Sequence, residues 1–219
     1  MIGYASWTGT KTTLNRLQSA GWRILMSPDT LKRCKGKTRP FWTDGTPAPY
    51  ALDNGAWGCH KREEPFNEDR FQWALDRIGA GADWVVMPDC VGDAKETFRM
   101  ADRWWRRMLQ YPTPLFAVQD EMQSAQVEPF LQRGFGLFVG GSMEWKLDTV
   151  WKWAQLAQKH GCWCHVGRIN SVRRINLCQA YGVNSTDGTQ ITQYPGTMPR
   201  FDRAFRQQAL FELKYKGEG

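Results

Sequence analysis

The sequence predicts an α/β fold, a small (β/α)8 TIM barrel, from three observations. Short β-rich runs alternate with amphipathic helical runs along the whole length of the chain. Eight strand candidates in 219 residues give roughly 27 residues per unit, which suits a compact barrel; the fold runs near 250 residues, with about 200 as its lower limit. No linker or low-complexity tract interrupts the alternation, so residues 1–219 read as one domain. An open doubly wound sheet, which allows the same alternation, is the runner-up.

The strand candidates, in order, are Ile2–Ala5, Arg23–Met26, Tyr50–Leu52, Trp84–Met87, Leu115–Val118, Leu137–Val139, Cys164–Val166 and Val183–Thr186. Between them lie helical patterns such as "NEDRFQWALDRIGA", "KETFRMADRWWRRMLQ", "SAQVEPFLQRG", "KLDTVWKWAQLAQKHG" and "SVRRINLCQAYG". In the fourth, Leu147, Val150, Trp151, Ala154 and Ala157 recur at helical spacing, and Gly161 suits the C-terminal cap. Gly182 ends the fifth in the same way. The least regular stretch is the basic, Gly/Pro-containing loop Lys32–Ala48. It reads either as a surface loop or as a mobile arm over the active face.

Composition narrows the function classes. Apolar content of 42% with 23% charged residues is ordinary for a globular protein, and no apolar run approaches the roughly 20 residues of a membrane span. The start "MIGYASWTGTK" lacks the order of a signal peptide, and six scattered cysteines suit a reducing compartment, so a cytoplasmic location is expected. A net charge of +7 favours a polyanionic partner. The tryptophans within "RWWRRM" and "VWKWAQL" read as packing residues rather than as stacking platforms.

Chemistry in such a barrel sits where strands end and the following loops begin. Those positions hold Asp53 in "LDNGAWG", Asp89 and Asp93 in "MPDCVGD", and Gln119 and Asp120 in "AVQD". They continue with Gly140 and Gly141 in "FVGGSMEWK", Arg168 in "HVGR", and Asp187. Taken singly, each has a bland reading: "DNG" and "DG" are turns, and Asp93 and Ser171 are N-caps. Together they converge on one pocket, where two separated carboxylates can divide labour as nucleophile and proton carrier. No metal site is expected: strand alternation points Cys162 and Cys164 one way and His165 the other, and His165 reads as a core residue.

These motifs, in this order, resemble the tRNA-guanine transglycosylase superfamily, and most closely its short phage and bacterial branch, the DNA 7-deazaguanine transglycosylases. The resemblance runs from "GYASWTGTKTTLNRLQSAGWRIL" through "DNGAWG", "PDCVGD", "AVQD" and "GLFVGGSMEWK" to "HVGRINSVRRINLCQAYGVNSTDGT". It implies replacement of a guanine in DNA by a free 7-deazaguanine base of the preQ0 type, with the backbone left intact. By the same resemblance Asp187 is the nucleophile and Asp53 the general acid/base. Asp89, Gln119 and the Gly140–Gly141 backbone hold the base, and Gly188 leaves room for a sugar. The implied partners are DNA with a flipped guanine nucleotide and the free base, and no cofactor is expected, because the exchange consumes none. Candidates for the phosphate-binding surface are Lys11, Lys32, Arg33, Lys35, Lys37, Arg39, Lys146, Arg168, Arg173 and Arg174.

The tRNA enzymes carry a cysteine and histidine zinc motif beyond the nucleophile. The 32 residues after Asp187 contain neither residue type, so the zinc subdomain is expected to be absent and DNA is favoured over tRNA. Exchange on tRNA and a two-carboxylate N-glycosidase that releases a base without replacing it are the alternatives.

Overall fold

The structure is a computed structural model describing residues 1–34 and 39–215, with side chains to residue 206. Eight parallel strands close into a barrel in sequential order. They are β1 (Ile2–Ser6), β2 (Arg23–Met26), β3 (Tyr50–Leu52), β4 (Val85–Val86), β5 (Pro114–Val118), β6 (Gly136–Val139), β7 (Cys164–Val166) and β8 (Ser185–Gly188). Closure is made by β1, which pairs with β2 on one side and with β8 on the other; Tyr4 stands opposite Asp187. The predicted barrel therefore holds and the open sheet is excluded.

The connecting helices are α1 (Lys11–Ser19), α2 (Pro28–Arg33), α3 (Ala56–Lys61), α4 (Glu68–Ile78), α5 (Ala94–Met108), α6 (Ser124–Gln132), α7 (Met143–Lys159) and α8 (Val172–Ala180). After β8 come α9 (Gln190–Gln193) and α10 (Met198–Tyr215), neither of which is among the patterns named from sequence. Phe201 and Ala204 of α10 are buried, and Phe205 meets Trp22 edge-on at 4.9 Å between ring centroids. Among the described residues no helix is long and apolar enough to cross a membrane.

Side-chain caps start several helices as the sequence suggests. Asp93 accepts from the Glu96 N–H at 2.8 Å and Ser171 from the Arg174 N–H at 3.3 Å, which satisfies orphan donors of the first turn. Two expectations shift. Helix α7 buries Val150, Ala154 and Ala157 as the spacing predicts, but Lys146, Trp153 and Leu156 complete the inner stripe, while Leu147 is half-buried and Trp151 is 45% exposed. The last strand begins at Ser185, not Val183, which places Asp187 inside the strand.

The loop after α2 also becomes specific. Residues 39–48 fold back on themselves, with Phe41 bridging to Pro47 and Trp42 buried. Asp44 accepts a hydrogen bond from the α1 residue Gln18 at 2.8 Å. This described half packs on α1 and is not an arm over the mouth. Lys35 and Lys37 lie outside the described residues.

Inside the barrel the filling is aromatic. Trp84 meets Tyr4 edge-on at 5.1 Å and the His165 ring at 4.4 Å, and Phe138 stacks on His165 at 5.1 Å. Such bulk needs small neighbours: a Cβ on Gly167 would lie 2.8 Å from the Phe138 ring. Below this layer Asp83 accepts from Tyr4 Oη at 2.8 Å and pairs with Arg23 at 3.0 Å, which closes the N-terminal end.

Candidate active site

The strand ends open onto a cavity of about 300 Å³ at the opposite, C-terminal mouth, within the size range of small-molecule sites. Asp53, Asp89 and Asp187 all line it, with Arg168, Trp57 and Lys61 on its wall. Asp187 is 7% exposed, and its Oδ1 accepts two N–H donors, His165 Nε2 and the Arg168 backbone, both at 3.0 Å. Its Oδ2 has no partner among the described residues. One oxygen is fastened and the other is available.

A chain of polar groups stands behind that fastened oxygen. Trp163 Nε1, which can only donate, lies 2.9 Å from Ser185 Oγ, and Ser185 Oγ lies 2.8 Å from His165 Nδ1. These partners assign the protons: Trp163 donates to Ser185, Ser185 to Nδ1, and Nε2–H to Asp187. His165 is 0% exposed, and burial holds its pKa below the usual imidazole value against the pull of Asp187. The ring is therefore neutral near pH 7 and acts as a fixed dipole. The expectation that His165 is a core residue is correct for its place and incomplete for its role. Strand parity carries the missing signal, because His165 and Ser185 are register partners that face the same interior as Asp187.

Asp53 sits just past β3, where Gly55 at φ 85° turns the chain so that its N–H donates to Asp53 Oδ2 at 3.1 Å. Burial raises the Asp53 pKa to about 7, helped by the charges of Asp187 and Asp89. Asp89 rises to about 6 through burial, offset in part by a 2.7 Å hydrogen bond from Asn54 Nδ2. Asn54 was not singled out from sequence, yet it ties two strand ends together. The same Nδ2 donates to the Met87 carbonyl at 2.7 Å, and Oδ1 accepts from the Ala56 N–H at 2.8 Å.

Several sequence-named residues reach the mouth with their polar atoms already engaged. The Gln119 amide donates to the Cys90 carbonyl at 2.8 Å and accepts from the Gly92 N–H at 2.7 Å. Gln119 thus braces the loop that carries Asp89 and offers no free donor. Gly140 N–H is used by the Val118 carbonyl at 2.8 Å, whereas Gly141 N–H has no acceptor among the described residues. Asp120 accepts from the N–H and the hydroxyl of Ser142, at 2.7 and 2.6 Å, and so anchors the start of α7. The space beside Gly188 is filled by protein: a Cβ there would meet Asn170 Oδ1 at 2.6 Å and the Ile169 carbonyl at 2.7 Å. That glycine admits the β7–α8 loop, not a sugar.

The basic residues divide into three groups. Arg168 lines the cavity, donating to the Gly141 carbonyl at 2.6 Å with its guanidinium 4.1 Å from the Trp57 ring centroid. Lys11, Lys32, Arg33, Arg39 and Arg173 are exposed and Arg174 is half-buried, all outside the cavity wall. Arg173 and Arg200 border a neighbouring hollow of about 240 Å³ that shares Asn170 with the main cavity. Lys146 is a correction, since it is 0% exposed and donates to the Gly167 carbonyl at 2.6 Å. An ammonium enclosed by the fold cannot lie on a phosphate-binding surface.

Among the described residues no group of histidine, cysteine and carboxylate side chains could hold a metal ion. No protein-family model matches the chain, and no curated protein matches it.

Proposed function

We propose that the chain is a transglycosylase that exchanges guanine in DNA for a free 7-deazaguanine base. The observation that carries this reading is the pairing of two unlike carboxyl groups in one cavity. Asp187 presents a free oxygen from a fastened carboxylate, and Asp53 has a pKa raised to about 7. Unlike environments for two acids are the usual basis for nucleophile and acid/base assignments.

In the first displacement Asp187 Oδ2 attacks C1′ of the flipped nucleotide, forming a C–O bond as the bond to the purine N9 breaks. The electron pair leaves with guanine, which takes a proton from Asp53. In the second, the Asp53 carboxylate removes the N9 proton of the incoming base. N9 then bonds to C1′, the C–O bond breaks, and Asp187 is regenerated. Asp89 supplies a carboxylate for the amino edge of the base, and Gly141 N–H a donor for its carbonyl edge.

Incubation with DNA, with tRNA and with a labelled 7-deazaguanine tests the reading directly. Label is expected in DNA together with an equal release of guanine. Label in tRNA alone would move the substrate to RNA. Guanine release without incorporation would make the protein an N-glycosidase.

A further inference from the structure

Lys146 combines the burial of a core residue with the chemistry of a cation. It stands on the inner stripe of α7, four residues before Val150 and seven before Trp153, and is fully enclosed. It forms no ion pair with a carboxylate among the described residues. Among the described residues its only acceptor is the Gly167 carbonyl, at 2.6 Å. That carbonyl belongs to the peptide group joining Gly167 to Arg168, and the N–H of the same group donates to Asp187 Oδ1 at 3.0 Å. Ammonium, one peptide and carboxylate therefore form a continuous line.

We infer that Lys146 is a positioning residue whose ammonium, acting through the Gly167–Arg168 peptide, orients and holds the Asp187 carboxylate. A cation at a carbonyl oxygen polarises the peptide, and the N–H at its other end becomes a stronger donor. The peptide is held in an unusual geometry: Arg168 has φ 60°, in the left-handed region, and Gly167 has no room for a Cβ against Phe138. Burying an ammonium without a carboxylate partner opposes folding, and an apolar side chain of similar length is commonly as stable or more so. A residue with that penalty beside a reactive group is explained by what it does to the group.

The groups facing Lys146 are Asp120 beyond β5, His165 on β7, Arg168 beyond β7, Arg174 and Cys178 on α8, and Asp187 on β8. Burial, followed by the Arg168 charge, lowers the Lys146 pKa to about 8, while Asp187 opposes the shift. Burial raises the Cys178 thiol to about 12 and keeps it neutral. Lys146 is thus protonated at pH 7 and loses its charge as pH rises through about 8.

The inference rests on the reading of Asp187 as nucleophile, and two measurements separate them. The first is an NMR titration of the Lys146 Cε signal in the wild-type protein and in Asp187→Asn. The midpoint is expected near pH 8 in the wild type and about one pH unit lower in the variant, because the facing negative charge is removed. An unchanged midpoint would show that the two groups are not coupled.

The second measurement compares Lys146→Met and Lys146→Gln in trapping of the covalent DNA adduct. Lys146→Met is expected to slow adduct formation at saturating DNA about 100-fold, with DNA affinity, its salt dependence and the melting temperature preserved. Lys146→Gln keeps a donor for Gly167 without the charge and is expected to recover part of that rate. A full rate at saturation with weaker, less salt-dependent binding would make Lys146 a phosphate contact and overturn the inference. If the wild type forms no adduct, the nucleophile reading fails, while the titration still decides whether Lys146 and Asp187 are coupled. If Lys146→Met does not fold, the titration and Lys146→Gln decide.

Discussion

At the N-terminal end of the barrel, Asp83 accepts from Tyr4 and pairs with Arg23. At the C-terminal mouth, Asp53, Asp89 and Asp187 have no lysine or arginine side chain within ion-pair distance among the described residues. The closed end neutralises its acid with a direct partner and leaves it no task. The open end fastens its acids with one side-chain amide, a ring nitrogen and backbone N–H groups, and two of them have pKa values raised to about 6 and about 7. A carboxyl that is held without being neutralised can still bond to a ligand or carry a proton. The difference between the ends is thus one of partner type, since all four residues are aspartates.

That comparison breaks most sharply at Asp187. Asp187→Ala is expected to lower adduct formation and label exchange by about 10⁴-fold or more, while circular dichroism shows the fold retained at a stability cost of about 1–3 kcal/mol, because His165 Nε2–H and the Arg168 N–H lose their acceptor. An unaffected rate would remove Asp187 from the chemistry and leave the mouth without a nucleophile.

Asp53→Asn is expected to lower the exchange rate by about 10²–10⁴-fold and to change how stability depends on pH. The folded protein holds the Asp53 proton up to about pH 7, whereas the unfolded chain releases it near pH 4. The folded state therefore loses stability relative to the unfolded one as pH rises from about 4 to 7, and the loss stays constant above. The variant should melt at a higher temperature than the wild type at pH 8, with no gain at pH 4. Thermal melts at both pH values check the sign. In the wild type, adduct formation should fall as pH rises through about 7, because the proposed first displacement draws its proton from Asp53.

At the closed end the pattern should invert. Asp83→Ala leaves Tyr4 and Arg23 without their acceptor and is expected to cost about 1–2 kcal/mol of stability. The Arg23 side chain is 33% exposed, so water screens part of the loss. Exchange by the folded variant at 25 °C should match wild type, as seen in a melt and a rate assay run side by side. The smallest effect belongs to the outer surface. Arg173→Ala should lower the salt-dependence slope of DNA binding by about 1 and leave the saturated exchange rate unchanged.

The fold was legible because its signals are local. Alternating apolar runs and glycine stops place seven of the eight strands to within one residue at each end, inside the tolerance set by fraying at element ends. The eighth strand was harder, since Ser185, Thr186 and Asp187 are polar and yet buried. Their hydrogen-bonding needs are met by Trp163, His165 and backbone N–H groups from other segments, and no hydropathy pattern records such partners. Trp151 and Lys146 show the same limit on α7. Both phases of that helix carry apolar residues, and which one turns inward depends on the barrel wall it meets.

The sequence by itself determined the alternation that makes a barrel, the placement of Asp53 and Asp89 beyond strand ends, and the caps that start α5 and α8. These follow from periodicity and local hydrogen bonding, which act within a few residues. Only the tertiary structure decided which polar atoms are free and which are engaged. Closure of the barrel placed a neutral histidine behind Asp187, engaged the Gln119 amide within a loop, and enclosed Lys146 behind the peptide that faces the carboxylate. Those outcomes depend on distances between segments far apart in the chain, where burial and the nearest charge set the behaviour of each group.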